Sequence, residues 1–123
     1  MHQLGVEYRH TGGAANRVVA EGDELVIEDR PSEDDLVHAW STFRALDGLP
    51  SAPNPPVVYA RERNRPQPAL DANRDGGMTV TIGRLRPCPV LDYKFIALGH
   101  NTIRGAAGVA ILNAELMHRE GLL

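Results

Sequence analysis

The pattern of apolar and polar residues predicts one amphipathic helix in the first half of the chain. Four apolar residues recur there at helical spacing: Leu36, Trp40, Phe43 and Leu46. Ser32 precedes them as a favourable N-cap, and the next three residues are acidic, which the positive end of a helix dipole favours. Gly48 and Pro50 follow the last apolar position. We therefore predict a helix that starts after Ser32, stops before Gly48 and buries one stripe.

Three later segments are predicted to be strands, because they are short, apolar or alternating, and bounded by turn residues. They are residues 57–60, 77–85 and 92–99. In the second segment Met78, Val80 and Ile82 fall on one face and two threonines on the other. The polar, proline-containing and turn-rich stretch between the first two strands predicts a long surface loop over residues 61–77.

The N-terminal region gives a weaker pattern. Val6 and Tyr8 suit a strand, but the glycines at positions 12 and 13 indicate a loop, so residues 1–16 stay unassigned. A short strand is predicted at residues 24–29, where three branched apolar residues follow one another.

The last predicted element is a helix over residues 102–118, with Asn101 or Thr102 as its cap and Gly121 just past its end. Its stretch GAAGVAILNA carries no charge on any face. A helix that is apolar all round is normally buried on several sides. The chain therefore either oligomerises through this helix or packs it against another domain.

Composition excludes several functional classes. The 123 residues carry a formal net charge of −3, and the basic residues do not cluster along the sequence, which argues against nucleic-acid or anionic-membrane binding. No apolar stretch is long enough to span a bilayer. The single cysteine excludes a disulfide framework within the chain and predicts a reducing, cytoplasmic setting. No histidine pair has metal-ligand spacing, so no metal site is predicted.

These elements predict an α+β fold: a mixed, largely antiparallel sheet with flanking helices. The helix after Ser32 is expected on one face of the sheet, and the last helix at an edge or interface.

The C-terminal third resembles the end of the aspartate-semialdehyde dehydrogenases, in the form found in archaea, fungi and some bacteria. The stretch HNTIRGAAG followed by NAEL, within residues 83–117, carries the resemblance most specifically. Upstream, LPSAP and RPQPALD occur with the family's spacing. The resemblance covers roughly residues 17–123, and residues 1–16 match nothing in it.

The resemblance implies an architecture and a reaction. The family has an N-terminal dinucleotide-binding domain, a dimerisation domain that begins with a nucleophilic cysteine, and a terminal helix that returns to the nucleotide domain. It reduces aspartyl phosphate to aspartate semialdehyde with NADPH, in the biosynthesis of lysine, threonine and methionine. Residues 17–100 would be part of the dimerisation domain, incomplete by comparison with the family, and residues 101–123 the terminal helix. The implied partners are further copies, as a homodimer or homotetramer, or a separate nucleotide-binding domain.

The family's proton-relay histidine ends an element similar to R-V-P-V-x-D-G-H, and this chain departs from it. Counted from Gly22, the histidine position holds Asp23; counted from Arg17, it holds Glu24. A carboxylate titrates well below the histidine range, so the substitution should impair the relay. Arg17 matches the family arginine that binds the substrate carboxylate, a role suited to the two parallel hydrogen bonds that a guanidinium makes.

For the NADP cofactor, the resemblance points to Asn101, Thr102 and Gly105. They open the last helix, where free amides and the dipole favour an anion or an amide oxygen. The alternative is that Asn101 only caps the helix and the glycines allow tight packing.

The lone thiol, Cys88, lies near Arg84 and Arg86, which would lower its pKa, but its place between two prolines indicates a structural role. RPQPALD receives no role. Because the chain shows neither GxGxxG nor the family's nucleophile motif, we expect no catalysis by the chain alone.

Two other functions stay open. One is a related reductase that acts on another acyl phosphate or on an acyl-CoA such as malonyl-CoA. The other is a non-catalytic oligomerisation module that binds a full-length dehydrogenase subunit.

Overall fold

The computed structural model describes residues 3–10, 13–20, 30–44 and 46–123, with the first two segments described by their backbone. The chain divides into two compact units, Met1–Ala39 and Trp40–Leu123. The strand predicted at residues 24–29 lies outside the described residues, as do Asp23 and Glu24.

The first unit contains a two-stranded antiparallel sheet. Strand β1 (Gln3–His10) pairs with β2 (Gly13–Ala20), in a register that runs from Gln3 opposite Ala20 to His10 opposite Gly13. The loop that the glycines at positions 12 and 13 indicate is therefore wrong from Gly13 onward. An antiparallel ladder is held by backbone hydrogen bonds, which alanines and glycine can make as well as β-branched residues.

Helix α1 (Glu33–Thr42) begins at the predicted position. The Asp35 amide donates to Ser32 Oγ (3.0 Å), and the Ser32 amide donates to Asp35 Oδ2 (2.9 Å). This reciprocal capping box satisfies two amides that the first turn leaves free. The acidic residue after Ser32 therefore fixes the helix start as well as favouring the dipole.

The helix ends earlier than its apolar pattern predicts. Ser41 and Thr42 are poor helix formers, and Arg44 donates to the carbonyls of Ser41 and Phe43 beyond the last turn. Phe43 consequently lies outside the helix and is 48% exposed. The prediction of one continuous buried stripe is wrong, because no residue of α1 is fully buried and Leu36 and Trp40 are only half-buried.

The second unit is built on a three-stranded mixed sheet in the order β3-β4-β5. Strand β3 (Val57–Ala60) is parallel to β4 (Val80–Pro87), and β4 is antiparallel to β5 (Tyr93–Leu98). The central strand is covered on both faces, since Thr81 is fully buried and Ile82 is 7% exposed. The three predicted strands and the α+β fold are confirmed.

Trp40 attaches the last turn of α1 to the sheet. Its ring centroid lies 6.1 Å from that of Tyr59 in β3 and 5.0 Å from that of Phe95 in β5. Aromatic pairs at these separations add to the stability that their burial provides.

The long surface loop predicted over residues 61–77 is wrong in part. It contains the short helix α2 (Pro68–Asp71) and a 3-10 turn at Arg74–Gly77. Pro68 occupies the first helical position, where its missing amide and fixed φ are favourable.

The last helix begins with a π-helical turn, Ile103–Ala107, and continues as α3 (Gly108–Arg119). It ends as predicted at Gly121, which has a φ of 75°. The Gly121 amide donates to the His118 carbonyl and the Leu122 amide to the Met117 carbonyl, the Schellman pattern.

Helix α3 packs on its own unit through one side. Leu112 is 1% exposed and joins Leu49 and Met78 in the core, and Glu115 accepts from the amide and hydroxyl of Ser51 (2.8 and 2.6 Å). A neighbouring side is open, with Ile111 56% exposed. The uncharged helix is thus buried on one face and apolar but exposed on another.

Candidate functional site

An open groove of about 440 Å³ lies between α2 and the junction of β5 with the last helix. One wall is formed by Pro68 and Ala72 of the RPQPALDA segment. The other is the continuous run from Leu98 to Thr102. The groove brings together the two segments whose sequences are the most distinctive in the chain.

His100 organises the helix start. Its Nδ1 accepts from the amides of Thr102 (3.2 Å) and Ile103 (3.1 Å), and the Thr102 hydroxyl lies 3.3 Å from the same nitrogen. A nitrogen that accepts from amides carries no proton, so the hydrogen of the neutral ring is on Nε2. Thr102, one of the two predicted caps, occupies the N-cap position, but its side chain makes no capping hydrogen bond, and His100 Nδ1 accepts from the helix amides instead.

This arrangement changes how a ligand can meet the helix start. The amides of Thr102 and Ile103 are taken by His100 Nδ1, and the Gly105 amide donates to the His100 carbonyl (2.9 Å). The expected free amides are therefore occupied at these three positions. At the helix start, a ligand can therefore contact side chains and exposed backbone atoms, but not these three amide hydrogens.

Asn101 and Thr102 both line the groove and are exposed. Within the described part of the chain, the Asn101 side-chain amide makes no hydrogen bond. That amide is a donor and an acceptor that is available at the groove surface.

Gly105 is exposed one turn further along the helix, and a Cβ there would meet only the His100 carbonyl, at an ordinary 3.5 Å. Gly108 differs, because a Cβ there would lie 2.3 Å from Met78 Sδ and 2.7 Å from the Ile103 carbonyl. Packing within the chain accounts for the glycine at 108 and leaves the glycine at 105 unexplained.

An ion cluster holds the α2 wall in place. Asp71 is fully buried, and its carboxylate pairs with both Arg65 and Arg74. Arg65 Nε donates to Asp71 Oδ2 at 2.7 Å, and the Gln67 amide donates to the same oxygen at 2.8 Å. Arg74 Nε and Nη2 both donate to Oδ1, at 3.1 and 3.0 Å. The Asp71 carboxylate, at the end of α2, thereby binds the residues that precede this helix and the turn that follows it.

This environment lowers the pKa of Asp71 far below its ordinary value. The hydrogen bonds from Arg65 are the largest cause, burial acts in the opposite direction, and the Gln67 amide and Arg74 lower the pKa further. Asp71 is therefore ionised at neutral pH and acts as a fixed anion, unsuited to accept or release a proton in a reaction.

The predicted structural cysteine, Cys88, is not among the residues that line this groove. Cys88 follows β4, and the pKa of its thiol is lowered, first by hydrogen bonds from the Leu91 and Val90 amides. Burial opposes that shift, and the charges of Lys94 and Arg86 add to it. Arg17 lies in β2 opposite Val6, and its side chain is not among those the structure describes.

Two features of the site were missed from the sequence. One is His100 as the cap, because histidine is not among the favoured N-cap residues. The other is the cluster around Asp71, for which an Asp–Arg pair at i, i+3 and a proline at a helix start were the only local signals.

Residues 23–104 match the family profile described as semialdehyde dehydrogenase, dimerisation domain. The chain belongs to this family. The match includes both walls of the groove and all three strands of the mixed sheet. Asn101 and Thr102 lie inside it, and Gly105 directly follows it.

Individual members are also similar. Aspartate-semialdehyde dehydrogenase of Methanothermobacter thermautotrophicus is 48% identical over 99 residues, which are 76% of this chain and 28% of that protein. The Archaeoglobus fulgidus protein of the same name is 46% identical over 85 residues, which are 69% of this chain and 24% of that protein. The chain therefore spans roughly a quarter of the length of these relatives.

A solved structure agrees with the fold. The crystal structure of aspartate semialdehyde dehydrogenase with NADP from Candida albicans matches 80% of this chain and 28% of its own, at 36% identity and a TM-score of 0.68. No helix among the described residues is long and apolar enough to cross a membrane.

Proposed function

We propose that this chain is the dimerisation part of an aspartate-semialdehyde dehydrogenase, which reduces aspartyl phosphate to aspartate semialdehyde with NADPH in amino-acid biosynthesis. Its partner is a second copy, in a homodimer or homotetramer. A dinucleotide-binding domain, in the same or another chain, completes the cofactor site in the cytoplasm. The observation that carries the proposal is the groove whose wall from Leu98 to Thr102 lies inside the family match.

Asn101, Thr102 and Gly105 form this chain's side of the NADP site. The fit rests on the Asn101 amide, which has no partner among the described residues, and on Gly105, where no atom of the chain requires the absence of a Cβ. An amide side chain can donate to and accept from the carboxamide of a nicotinamide. NADPH supplies the hydride when bound, and these residues orient its nicotinamide end.

The ion cluster around Asp71 has a positioning role in this proposal. It fixes Pro68 and Ala72 opposite Asn101, so the width of the groove is set before a ligand arrives. Arg17 supplies the guanidinium for the substrate carboxylate. The carboxylate at Asp23 or Glu24 replaces the relay histidine and slows proton transfer.

A chimera tests the proposal in an enzyme that does not contain Asp23 and Glu24, the residues at the altered relay position. Residues 30–123 replace their counterparts in the Methanothermobacter thermautotrophicus enzyme, and the NADP-dependent oxidation of aspartate semialdehyde in phosphate is measured. We expect an active enzyme, in which Asn101→Ala raises the KM for NADP by about tenfold, the equivalent of one good hydrogen bond. The KM for aspartate semialdehyde should change much less.

Two controls accompany the chimera. Cys88→Ser should leave its activity intact, because the thiol lies outside the groove. The 123-residue chain alone should show no NADP-dependent turnover. An inactive but folded chimera, or an unchanged KM for NADP in Asn101→Ala, would contradict the proposed role.

A further inference from the structure

A second groove, of about 340 Å³, lies where β3 ends and β4 continues past it. It is lined by four arginines, hereafter the arginine groove: Arg61, Arg63, Arg84 and Arg86. Ala60 pairs with Gly83 in the parallel ladder, so the segment that leaves the sheet after Ala60 starts beside the part of β4 that continues to Pro87. The basic residues that do not cluster in the sequence are therefore clustered by this strand pair.

The arginines of the groove form no ion pairs within the described part of the chain. None of its four guanidinium groups pairs there with a carboxylate, whereas Arg65 and Arg74 both pair with Asp71. The Arg61 guanidinium lies 5.8 Å from the Tyr59 ring centroid, and Arg86 Nη1 donates to the Arg84 carbonyl at 2.5 Å. Glu62 is the one carboxylate among the lining residues.

The exposure of the arginine groove favours a segment with several carboxylates over a small anion. All four arginines are exposed, so a small ion would stay hydrated and would gain little from any one of them. A segment that carries several carboxylates can engage several guanidinium groups together, and arginine clusters recognise acidic motifs in this way.

The chain itself carries such a segment. Residues 1–39 hold nine acidic and three basic side chains, a net charge of −6, whereas residues 40–123 hold seven acidic and ten basic, a net charge of +3. Glu33 and Asp34 are exposed on the first turn of α1, and neither pairs with a basic residue among those described. The capping box between Ser32 and Asp35 holds that turn in a fixed shape.

We propose that the arginine groove of one copy binds the acidic first turn of α1, at Glu33 and Asp34, of a second copy. Two such contacts related by a two-fold axis would join two copies in a closed dimer. This inference rests on the proposed dimerisation and identifies the surfaces that produce it. Electrostatic complementarity of this kind fixes the choice of partner and its register.

A charge exchange between two variants tests the proposal. Arg84→Glu/Arg86→Glu and Glu33→Lys/Asp34→Lys are purified separately, and their dimerisation is measured by sedimentation equilibrium alone and in an equimolar mixture. Each variant alone should dimerise at least about tenfold more weakly than the wild type, because both of its contacts join like charges. The mixture should regain wild-type affinity, because both contacts of the mixed dimer then join opposite charges.

The controls are Arg119→Glu and Glu120→Lys, which reverse exposed charges outside the arginine groove and should leave dimerisation unchanged. Circular dichroism confirms that each variant is folded. Added NaCl should weaken the wild-type dimer, since exposed ion pairs are screened.

The outcomes separate this inference from the proposed dimerisation. A wild-type dimer that tolerates both charge reversals overturns the inference and leaves dimerisation standing. Weak dimerisation of both variants without recovery on mixing also overturns it, because a contact within one chain cannot be restored by a second chain. A wild-type chain that is monomeric at every concentration overturns both.

Discussion

At the residue scale, Asp71 shows how a single buried charge is tolerated. A carboxylate taken out of water loses several kcal/mol of hydration unless partners replace it. Here two guanidinium groups and one amide do so, and all of them belong to the same short segment. The segment is therefore fixed by electrostatics, because α2 spans only four residues and has little apolar surface to bury.

We expect Asp71→Asn to destabilise the chain by about 1 to 3 kcal/mol, since it removes the counter-ion of Arg65 and Arg74, which are partly exposed and can be hydrated in its place. The measurement is urea denaturation at neutral pH. Glu120→Gln is the matched control, because Glu120 forms an exposed pair with Arg119 at 3.8 Å. That change should cost no more than about 1 kcal/mol. Equal losses for the two variants would show that the Asp71 cluster is not specially stabilising.

The same carboxylate predicts how stability depends on pH. Its pKa is lowered in the folded state, so the unfolded chain binds the extra proton first on acidification. The stabilisation is complete above the unfolded pKa of about 4 and decreases as pH falls through the acid range below it. Asp71→Asn should therefore flatten the acid limb of the free energy of unfolding plotted against pH. An acid limb of unchanged slope in that variant would rule out this assignment.

At the element scale, the last helix combines two kinds of glycine that look alike in GAAGVAILNA. Gly108 touches Met78 and the Ile103 carbonyl, whereas Gly105 faces outward. The first is needed for the helix to approach its own core. The second leaves its surface free for another molecule or domain.

Substitution of alanine at these two positions should change the free energy of unfolding in opposite directions. Gly108→Ala should lower the free energy of unfolding by about 1 to 3 kcal/mol through overpacking against Met78. Gly105→Ala should leave it unchanged or raise it by up to about 1 kcal/mol, because alanine is the better helix former. Thermal denaturation of both variants, with circular dichroism as the readout, tests the pair. A large loss of stability in Gly105→Ala would show that its outward surface is not free.

At the scale of the whole molecule, α3 packs on its own unit through only a few residues. Leu112 enters the core with Leu49 and Met78, and Leu116 packs beside them. Other apolar residues of the helix remain exposed, among them Ile111 and Met117. The helix is held by the mixed-sheet unit and still presents an apolar side outward, as its uncharged sequence predicts.

Truncation of two neighbouring side chains on α3, one buried and one exposed, should lower the free energy of unfolding by very different amounts. Leu112→Ala should cost about 2 to 5 kcal/mol, because it opens a cavity in the core. Ile111→Ala should change the free energy of unfolding by no more than about 0.5 kcal/mol in the isolated chain. Urea denaturation of the two variants gives the comparison, and a large loss for Ile111→Ala would show that the outer side is already packed.

Local sequence signals predicted those elements whose causes are themselves local. The cap at Ser32, the Schellman end at Gly121 and the three short strands each depend on a few adjacent residues. The resemblance to aspartate-semialdehyde dehydrogenases was likewise contained in short motifs, and the family match confirmed it. The β1–β2 hairpin was missed because its second strand is rich in small residues with low strand propensity.

By itself, then, the sequence determined the fold class, the family and the approximate boundaries of β3, β5 and the last helix, because backbone propensity and motif spacing act over a few residues. Only the tertiary structure decided that His100 Nδ1 accepts hydrogen bonds from amides at the start of the last helix and that Asp71 binds two arginines. It also decided that four arginines, from β4 and from the segment after β3, line one groove. These contacts join residues that are separated in sequence or are not typical of the role they fill. Their positions depend on how strands and turns bring side chains together, which local patterns do not encode.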